Sequence, residues 1–529
     1  MVKILVADPV SDTGLQVFHA EKNQFLVEVK TKLSPEELKK AVTDVDAIVV
    51  RSETQISADI LAAAKKVKIV GRAGVGVDNI DIAAASKQGV VVVNVPGGNT
   101  ISAAEHTMAL LLSMARNVPQ ANASVKAGEW KRSQFVGTEL LGKTLGLIGL
   151  GRIGREVAKR CQSFGMNVIG YDPFASEEYA KTFQITLATL EEIYKKADYI
   201  SVHVPLNDST RNLFNAQTLA KLKPGVRLIN CARGGIINEK DLAEAIKSGH
   251  VKGAALDVYE QEPPAKDNPL FGLPNVILTP HLGASTEEAQ VKVAQELAET
   301  LRDYFLQGTV RNAVNLPAMD ADQYRDLEPY IALSEKLGNF ASQYFDGAAT
   351  QLKLTFAGEI SQKNTTPLSL SLLKGFLTPI LDLKVNLVNA PHLAKERGIQ
   401  WTETKTSQTT DYTNLITIEV ASGSKTLAVS GTLLAKNQPR IVAIDDLTVD
   451  VTPEGHMVLY TNQDKPGVIG HVGTVLGKNN VNIAAMQVGR RSQGGEAVTV
   501  VNVDAETPAN VLQALREFPG IKHVKSVRL

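Results

Sequence analysis

The stretch 145–172, LGLIGLGRIGREVAKRCQSFGMNVIGYD, sets the reading of the whole chain. An apolar run (Leu145, Leu147, Ile148) meets Gly149, Gly151 and Gly154 in G-x-G-x-x-G spacing. A helical pattern (Val157, Ala158, Cys161, Phe164) continues to Gly165, and a second apolar run ends in Asp172. This predicts a strand, a glycine turn, a helix and a strand. Each part has a physical task. One glycine makes the turn, one lets the backbone approach a pyrophosphate, one lets helix and strand pack, and the helix N-terminus offers N–H groups to the anion. Asp172 stands 18 residues past Gly154, close to the ~20 at which a carboxylate accepts hydrogen bonds from an adenosine ribose. The reading is a dinucleotide site, against a plain glycine turn in some other α/β domain. No Lys or Arg follows Asp172 before Lys181, so a 2′-phosphate would meet repulsion without a partner. NAD is expected, not NADP.

At 529 residues the chain exceeds one hydrophobic core and calls for three or four domains. Its 56 basic and 56 acidic residues cancel, so no global field draws nucleic acid or an anionic membrane. Small molecules and other subunits are the expected partners. Cys161 and Cys231 stand in no paired or metal-like spacing, which suits a reducing compartment. No apolar run reaches the ~18 residues of a membrane span. The N-terminus opens directly on a strand, Lys3 to Ala7, so a cytoplasmic protein is expected, with no metal site.

Residues 1–97 alternate apolar runs (Ile4–Ala7, Ala47–Val50, Lys68–Gly71, Val90–Val95) with helical stretches, which predicts a parallel sheet covered on both faces. Arg51 and Arg72 end two of these runs, and Ala73-Gly74-Val75-Gly76 follows with backbone N–H groups that an anion could meet. Taken alone, these read as solvated strand-end arginines beside a structural turn. The run Thr100–Arg116 is too apolar for a surface helix and is expected to cross between two α/β domains. A second helix over Ser285–Gly308 returns the chain, leaving a hinged cleft able to close on a substrate and exclude water. Between the crossings, strand ends fall near Asp172, His203, Arg233, Asp257 and His281, where ligands of open α/β sheets bind.

Residues 320 to about 450 hold helical stretches and strand-like runs (Leu352–Ala357, Leu415–Val420, Ile441–Asp445) with a polar joint at Thr402–Thr410. They predict a structural or oligomerising domain. The last ~75 residues alternate as βαββαβ, a small ferredoxin-like domain. Its loop Asn462–Gly467 leads into a helix start that holds a small carboxylate on its N–H groups or is simply capped.

Reduction of a 2-oxo acid, or the reverse oxidation, needs a cation for the carboxylate, a proton for the forming alkoxide, and a group that keeps the proton available. Arg233 offers the planar fork. His281 is the natural acid. Glu262 would hold the imidazole and favour its protonated form.

These strings, Gly149–Gly154, Cys231–Gly235 and Pro280–Gly283, resemble those of the D-isomer-specific 2-hydroxyacid dehydrogenases. Arg72–Asn79, Trp130-Lys131-Arg132, Phe135–Glu139, Asp464–Gly467 and Val481-Asn482-Ile483 narrow the resemblance to the family's long branch, which acts on 3-phosphoglycerate. The resemblance implies two doubly wound parallel-sheet (Rossmann-like) domains, an α+β intervening domain and a C-terminal ferredoxin-like ACT domain. Expected boundaries are 1–97 plus 284–316 for substrate binding, 98–283 for NAD, 317–450 for the intervening domain and 454–529 for the ACT domain. It also implies a homotetramer and L-serine as effector at a subunit interface.

Carried over by position, Arg233, Glu262 and His281 match the family's catalytic set. Gly149, Gly151, Arg152, Ile153, Gly154, Asp172, Val204, Cys231, Ala232, Arg233, Asp257, His281, Leu282, Gly283 and Ala284 match its cofactor contacts. Arg51, Arg72, Gly74, Val75, Gly76 and Asn99 match the substrate side, which revises the bland reading of the two arginines. The resemblance implies that Lys131 and Arg132 reach the phosphate from a neighbouring subunit, and that Asn462, Asp464 and Asn482 contact the effector. Val75 and Val204 stand where some members carry threonine. His471 and Gly473 leave the effector preference open. The rivals are a glyoxylate or hydroxypyruvate reductase, and a nucleotide-sensing binding protein resembling the corepressors built on this fold.

Overall fold

A computed structural model describes residues 1–317, 321–409, 411–435 and 437–529. The N-terminal sheet has five parallel strands: β1 (Val2–Val6), β2 (Phe25–Val29), β3 (Ala47–Val50), β4 (Ile69–Arg72) and β5 (Val91–Val93), ordered β2-β1-β3-β4-β5. Strands β3 and β5 are buried throughout, which is why they read as unbroken apolar runs. The sequence reading missed β2. It is an edge strand with Leu26 and Val29 exposed, so its hydropathy carries no clear period. Helices cover both faces. Leu15 and Phe18 pack on one face with Val293, Leu297 and Leu301; Leu38, Ile60, Leu61 and Ala85 pack on the other.

The second sheet is β6 (Thr144–Ile148), β7 (Asn167–Tyr171), β8 (Thr186–Leu187), β9 (Tyr199–Val202), β10 (Val226–Asn230), β11 (Val251–Leu256) and β12 (Val276–Leu278). All its pairs are parallel and its order is β12-β11-β10-β9-β6-β7-β8. The order reverses at β6, so a crevice opens between the loops leaving β6 and β9, and the glycine turn lies in it.

Two helices cross between the sheets. The first, Thr100–Arg116, buries Ala104, Met108, Leu111 and Met114 against the second sheet's core. The return helix, Glu287–Gln307, is capped by the Thr286 hydroxyl, which accepts from the Ala289 N–H, and is ended by Gly308 in the left-handed region at φ 70°.

The third sheet comprises β13 (Gln351–Gly358), β14 (Gln400–Thr406), β15 (Asn414–Ser422), β16 (Lys425–Leu434), β17 (Gln438–Ile444) and β18 (Leu447–Val451). The polar joint expected at Thr402–Thr410 is instead strand up to Thr406; Thr410 lies outside the described residues. As an edge strand paired only with β13, β14 leaves its side chains largely exposed, and this gives it a loop's composition. The fourth sheet is the expected βαββαβ unit: β19 (His456–Gln463), β20 (Ile483–Arg490), β21 (Glu496–Val503) and β22 (Ile521–Arg528), with helices Val468–Lys478 and Ala509–Arg516 on one face.

The opposite face of that last sheet is buried too. Met457, Leu459, Val498, Val500 and Val527 share one core with Leu337, Phe340, Ile416 and Val429 of the preceding domain. By contrast, the contact of that pair with the N-terminal lobe rests on Val388 in the lobe's core, an Asn386 amide donating to the Gly89 carbonyl (2.7 Å) and an exposed Lys87–Glu396 pair (2.8 Å).

Leu297, 2% exposed, lies where the return helix meets Gly71 on β4. Leu297→Ala removes that buried side chain and is expected to destabilise the N-terminal lobe by about 3 kcal/mol, read from urea unfolding. A loss under about 1 kcal/mol would mean that the helix is not anchored there.

Candidate active site

The glycine turn follows β6. Gly149 has φ 96° and lies so close to the His203 backbone that a Cβ would strike it. A Cβ on Gly154 would strike the Gly149 carbonyl, so helix Arg152–Ser163 packs directly on the turn. Gly151, at that helix's N-cap, faces open space, as a phosphate approaching the N–H groups requires. The Asp172 carboxylate at the end of β7 accepts from Leu150 N–H (2.9 Å) and Phe174 N–H (2.9 Å), which fixes it beside the turn. These residues fit a dinucleotide. Arg152 lies at the turn beside Gly97, in a groove that also holds Arg155 and Lys159.

A cleft of ≈ 460 Å³ opens between the two N-terminal lobes, bordered by Ile153, Val204, Cys231, Ala232, Arg233, His281, Gly283 and Ala284 from one and Arg51, Arg72, Gly74, Val75, Gly76 and Asn99 from the other. Leu282 does not border it and is partly exposed. The imidazole Nδ1 of His281 lies 2.7 Å from Glu262 Oε2, and Glu262 Oε1 accepts from Tyr259 N–H (3.2 Å). Burial pushes the Glu262 carboxyl up, but the bond to His281, its charge and the Tyr259 N–H outweigh this and hold it below its ordinary value. Glu262 is therefore ionised at neutral pH and suited to steady a protonated imidazole.

His281 itself sits at φ 55°, a conformation that a non-glycine residue holds only when its surroundings enforce it. Asp257, fully buried at the end of β11, supplies part of that enforcement: Oδ1 accepts from Leu282 N–H (2.8 Å) and Thr279 Oγ1 (2.6 Å), and Oδ2 from Gly283 N–H (2.8 Å). Asp257 thus stands behind the turn and does not border the cleft.

The other lobe brings cations. The Arg233 Nε donates to Asp78 Oδ2 (2.8 Å), and a Cβ on Gly76 would strike its guanidinium. A Cβ on Gly74 would likewise strike the Arg72 guanidinium. Burial, with further push from Arg233 and Arg51, lowers the Arg72 pKa to about 10, so it remains charged; its Nε is buried without a partner. The Asn99 Oδ1 is also buried without a partner. Arg51 is held through its backbone: its N–H donates to Asp8 Oδ2 (2.6 Å) and its carbonyl accepts from Asn79 Nδ2 (2.9 Å). Three guanidinium groups around one cleft, with two carboxylates near them, make an anion site. Sequence reading missed Asp8, Asp78 and Asn79 as supports. Asp78 and Arg233 are 155 positions apart, so no local pattern reports their bond. Burial drives His203 at the cleft down to about 4 and Cys231 up to about 12, so at neutral pH the first is a neutral ring and the second an unreactive thiol.

Two expected groups are not gathered within one chain. Lys131 pairs with exposed Glu129 (2.7 Å), and neither Lys131 nor Arg132 borders the cleft. In the last sheet Asn462 and Asp464 stand at one end, with Asp464 paired to Arg490. Asn482 precedes β20 at the opposite end and donates to Asp504 (2.8 Å). Arg490 and Ile483 are seven strand residues apart, so the two ends lie roughly 24 Å apart at ~3.4 Å per residue.

Residues 108–283 match the NAD-binding domain of the D-isomer specific 2-hydroxyacid dehydrogenases, 326–445 the D-3-phosphoglycerate dehydrogenase intervening domain and 456–520 the ACT domain. The D-3-phosphoglycerate dehydrogenase of Archaeoglobus fulgidus is 47% identical over 100% of both chains, and that of Bacillus subtilis 46% identical over 100% of both. The chain belongs to the D-3-phosphoglycerate dehydrogenases. Solved structures of wider relatives cover part of the chain. The NAD-dependent formate dehydrogenase of Staphylococcus aureus in complex with NAD has TM-score 0.54 at 30% identity, covering 60% of this chain and 100% of its own. A glyoxylate reductase from Paecilomyes thermophila has TM-score 0.55 at 29% identity, covering 59% and 98%.

Glu262→Gln removes the negative charge that favours protonated imidazole while keeping a hydrogen-bonding side chain. In the reductive direction, which consumes that proton, the fall of kcat with rising pH is expected to begin at lower pH than in the parent. An unmoved profile would mean that Glu262 does not act through His281.

Proposed function

We propose that this chain oxidises the 2-hydroxyl of 3-phosphoglycerate with NAD, giving 3-phosphohydroxypyruvate at the start of L-serine synthesis. The observation that carries the substrate is the trio Arg51, Arg72 and Arg233 around one cleft beside His281, in a chain whose full-length relatives are named for that substrate. A monocarboxylate needs one such cation; a phosphorylated acid has work for all of them.

NAD, held at the glycine turn beside Asp172, would supply the hydride acceptor for C2, and its reduced form the donor in the reverse direction. Arg233 grips the carboxylate and lies near the carbonyl, with Asp78 fixing its plane. His281 takes the hydroxyl proton during oxidation and gives it back during reduction, and Glu262 steadies the charged ring between the two. Arg51 and Arg72 hold the phosphate end, and the Arg72 Nε that lacks a partner is free to donate to it. The groups of the cleft come from both lobes, so closure of the lobes assembles the site and excludes water.

On this reading the chain divides into 1–97 with 284–316 for substrate, 98–283 for NAD, 317–450 as intervening domain and 454–529 as ACT domain. We also propose a cytoplasmic homotetramer; among the described residues no helix is long and apolar enough to cross a membrane. Exposed Trp130, Val136 and Leu141, at 83, 80 and 73%, lie in the same stretch of sequence as Lys131 and Arg132 and favour a second copy over water there. L-Serine is the proposed effector. Asn462 and Asp464 stand at the far end of the sheet from Asn482, so a pocket using all of them takes them from two chains.

Purified protein is expected to oxidise NADH rapidly with phosphohydroxypyruvate and at least tenfold more slowly with glyoxylate. Equal rates with both would remove the phosphate-specific reading. Adding L-serine is expected to lower the initial rate while glycine at the same concentration does not; no response to L-serine would discard the effector.

A further inference from the structure

His106 lies on the crossover helix Thr100–Arg116, two turns beyond Asn99 at the cleft. It belongs to no motif that the sequence reading used for chemistry. Its Nε2 lies 3.1 Å from Asp257 Oδ1 and 3.2 Å from Thr279 Oγ1. The Asp257 carboxylate is fully buried, and the Thr279 hydroxyl already donates to it. The ring nitrogen therefore faces acceptors on that side and is the donor.

We infer that His106 is a positioning residue for the reaction: it holds the buried Asp257 carboxylate, and through it the turn that aims His281. The same carboxylate accepts from Leu282 N–H and Gly283 N–H, the two amides that follow His281. Those bonds close a turn whose first residue stands at φ 55°, a conformation that relaxes when its enforcement is weakened. The imidazole of His281 is thus held twice, at its ring by Glu262 and through the two amides that follow it by Asp257. The second hold is completed from a different element. A buried carboxylate with one donor removed rearranges among those that remain, which are the Thr279 hydroxyl and the amides of the turn. Burial pushes the Asp257 carboxyl up, while His106, Thr279 and Leu282 together keep it below its ordinary value, as a retained buried charge requires.

This inference rests on His281 as the proton-transferring group, and the test separates the two. His106→Gln carries an amide N–H able to reach where the ring Nε2 stands; His106→Asn is one methylene too short. Both are polar residues whose helix propensity is no worse than or close to that of histidine, so the helix itself is little disturbed. With full-length enzyme reducing phosphohydroxypyruvate, the Gln variant is expected to keep kcat within about threefold of the parent. The Asn variant is expected to lose on the order of ten- to a hundredfold, the scale of a misplaced catalytic group. KM for the oxo acid is expected to stay within about twofold in both, since Arg51, Arg72 and Arg233 are not attached to this turn. Equal kcat in the two variants, or a loss confined to KM, would overturn the positioning role. In the His281→Ala background, His106→Asn is expected to cause no further loss from the residual rate. A full further loss there would show that His106 acts otherwise, leaving the proposed reaction intact. A parent enzyme inert toward phosphohydroxypyruvate would instead sink the reaction itself.

Discussion

Seven parallel strands with their carboxyl ends along one edge are the constraint from which the site follows. Parallel pairing cannot be made by hairpins, so the strands are joined by crossovers, through a helix in every case but the loop from β11 to β12. The order reverses at β6, and the loops after β6 and β9 part there. The glycine turn, His203, Arg233, Asp257 and the His281 turn all hang from that edge. They come from residues 149 to 284 of the chain, yet all but Asp257, which stands behind the His281 turn, face one crevice because the sheet is wound in both directions from β6.

The cleft collects charge that a folded protein would ordinarily separate. Arg51, Arg72 and Arg233 repel one another enough to contribute to the lowered Arg72 pKa. Asp8 and Asp78 offset this without cancelling it, one at the backbone of Arg51 and the other at the Nε of Arg233. Glycines at 74 and 76 are there because two guanidinium groups occupy the space of a side chain. A site held this way is destabilised when empty of anion and stabilised by one, which is how electrostatic preorganisation binds a phosphorylated acid.

The C-terminal half is coupled unevenly. Its two sheets share a single core. Against the N-terminal lobe, Val388 supplies an apolar contact, Asn386 a hydrogen bond and Lys87 an exposed ion pair.

Periodicity and spacing determined much by themselves: the alternation of strands and helices, the glycine turn with Asp172, the crossing helices and the strand-end positions of Arg233 and His281. These are legible because each is written in contiguous residues whose pattern reflects one local environment. Strands β2 and β14 escaped because an edge strand faces solvent and its composition resembles a loop. The bonds Asp78–Arg233, Asp8–Arg51 and His106–Asp257 were invisible for another reason. Their partners lie 155, 43 and 151 positions apart. Only the winding of the two sheets and the crossing helix brings such groups within 3 Å or so, and pairing at that range is decided by tertiary packing, since no local propensity reports it.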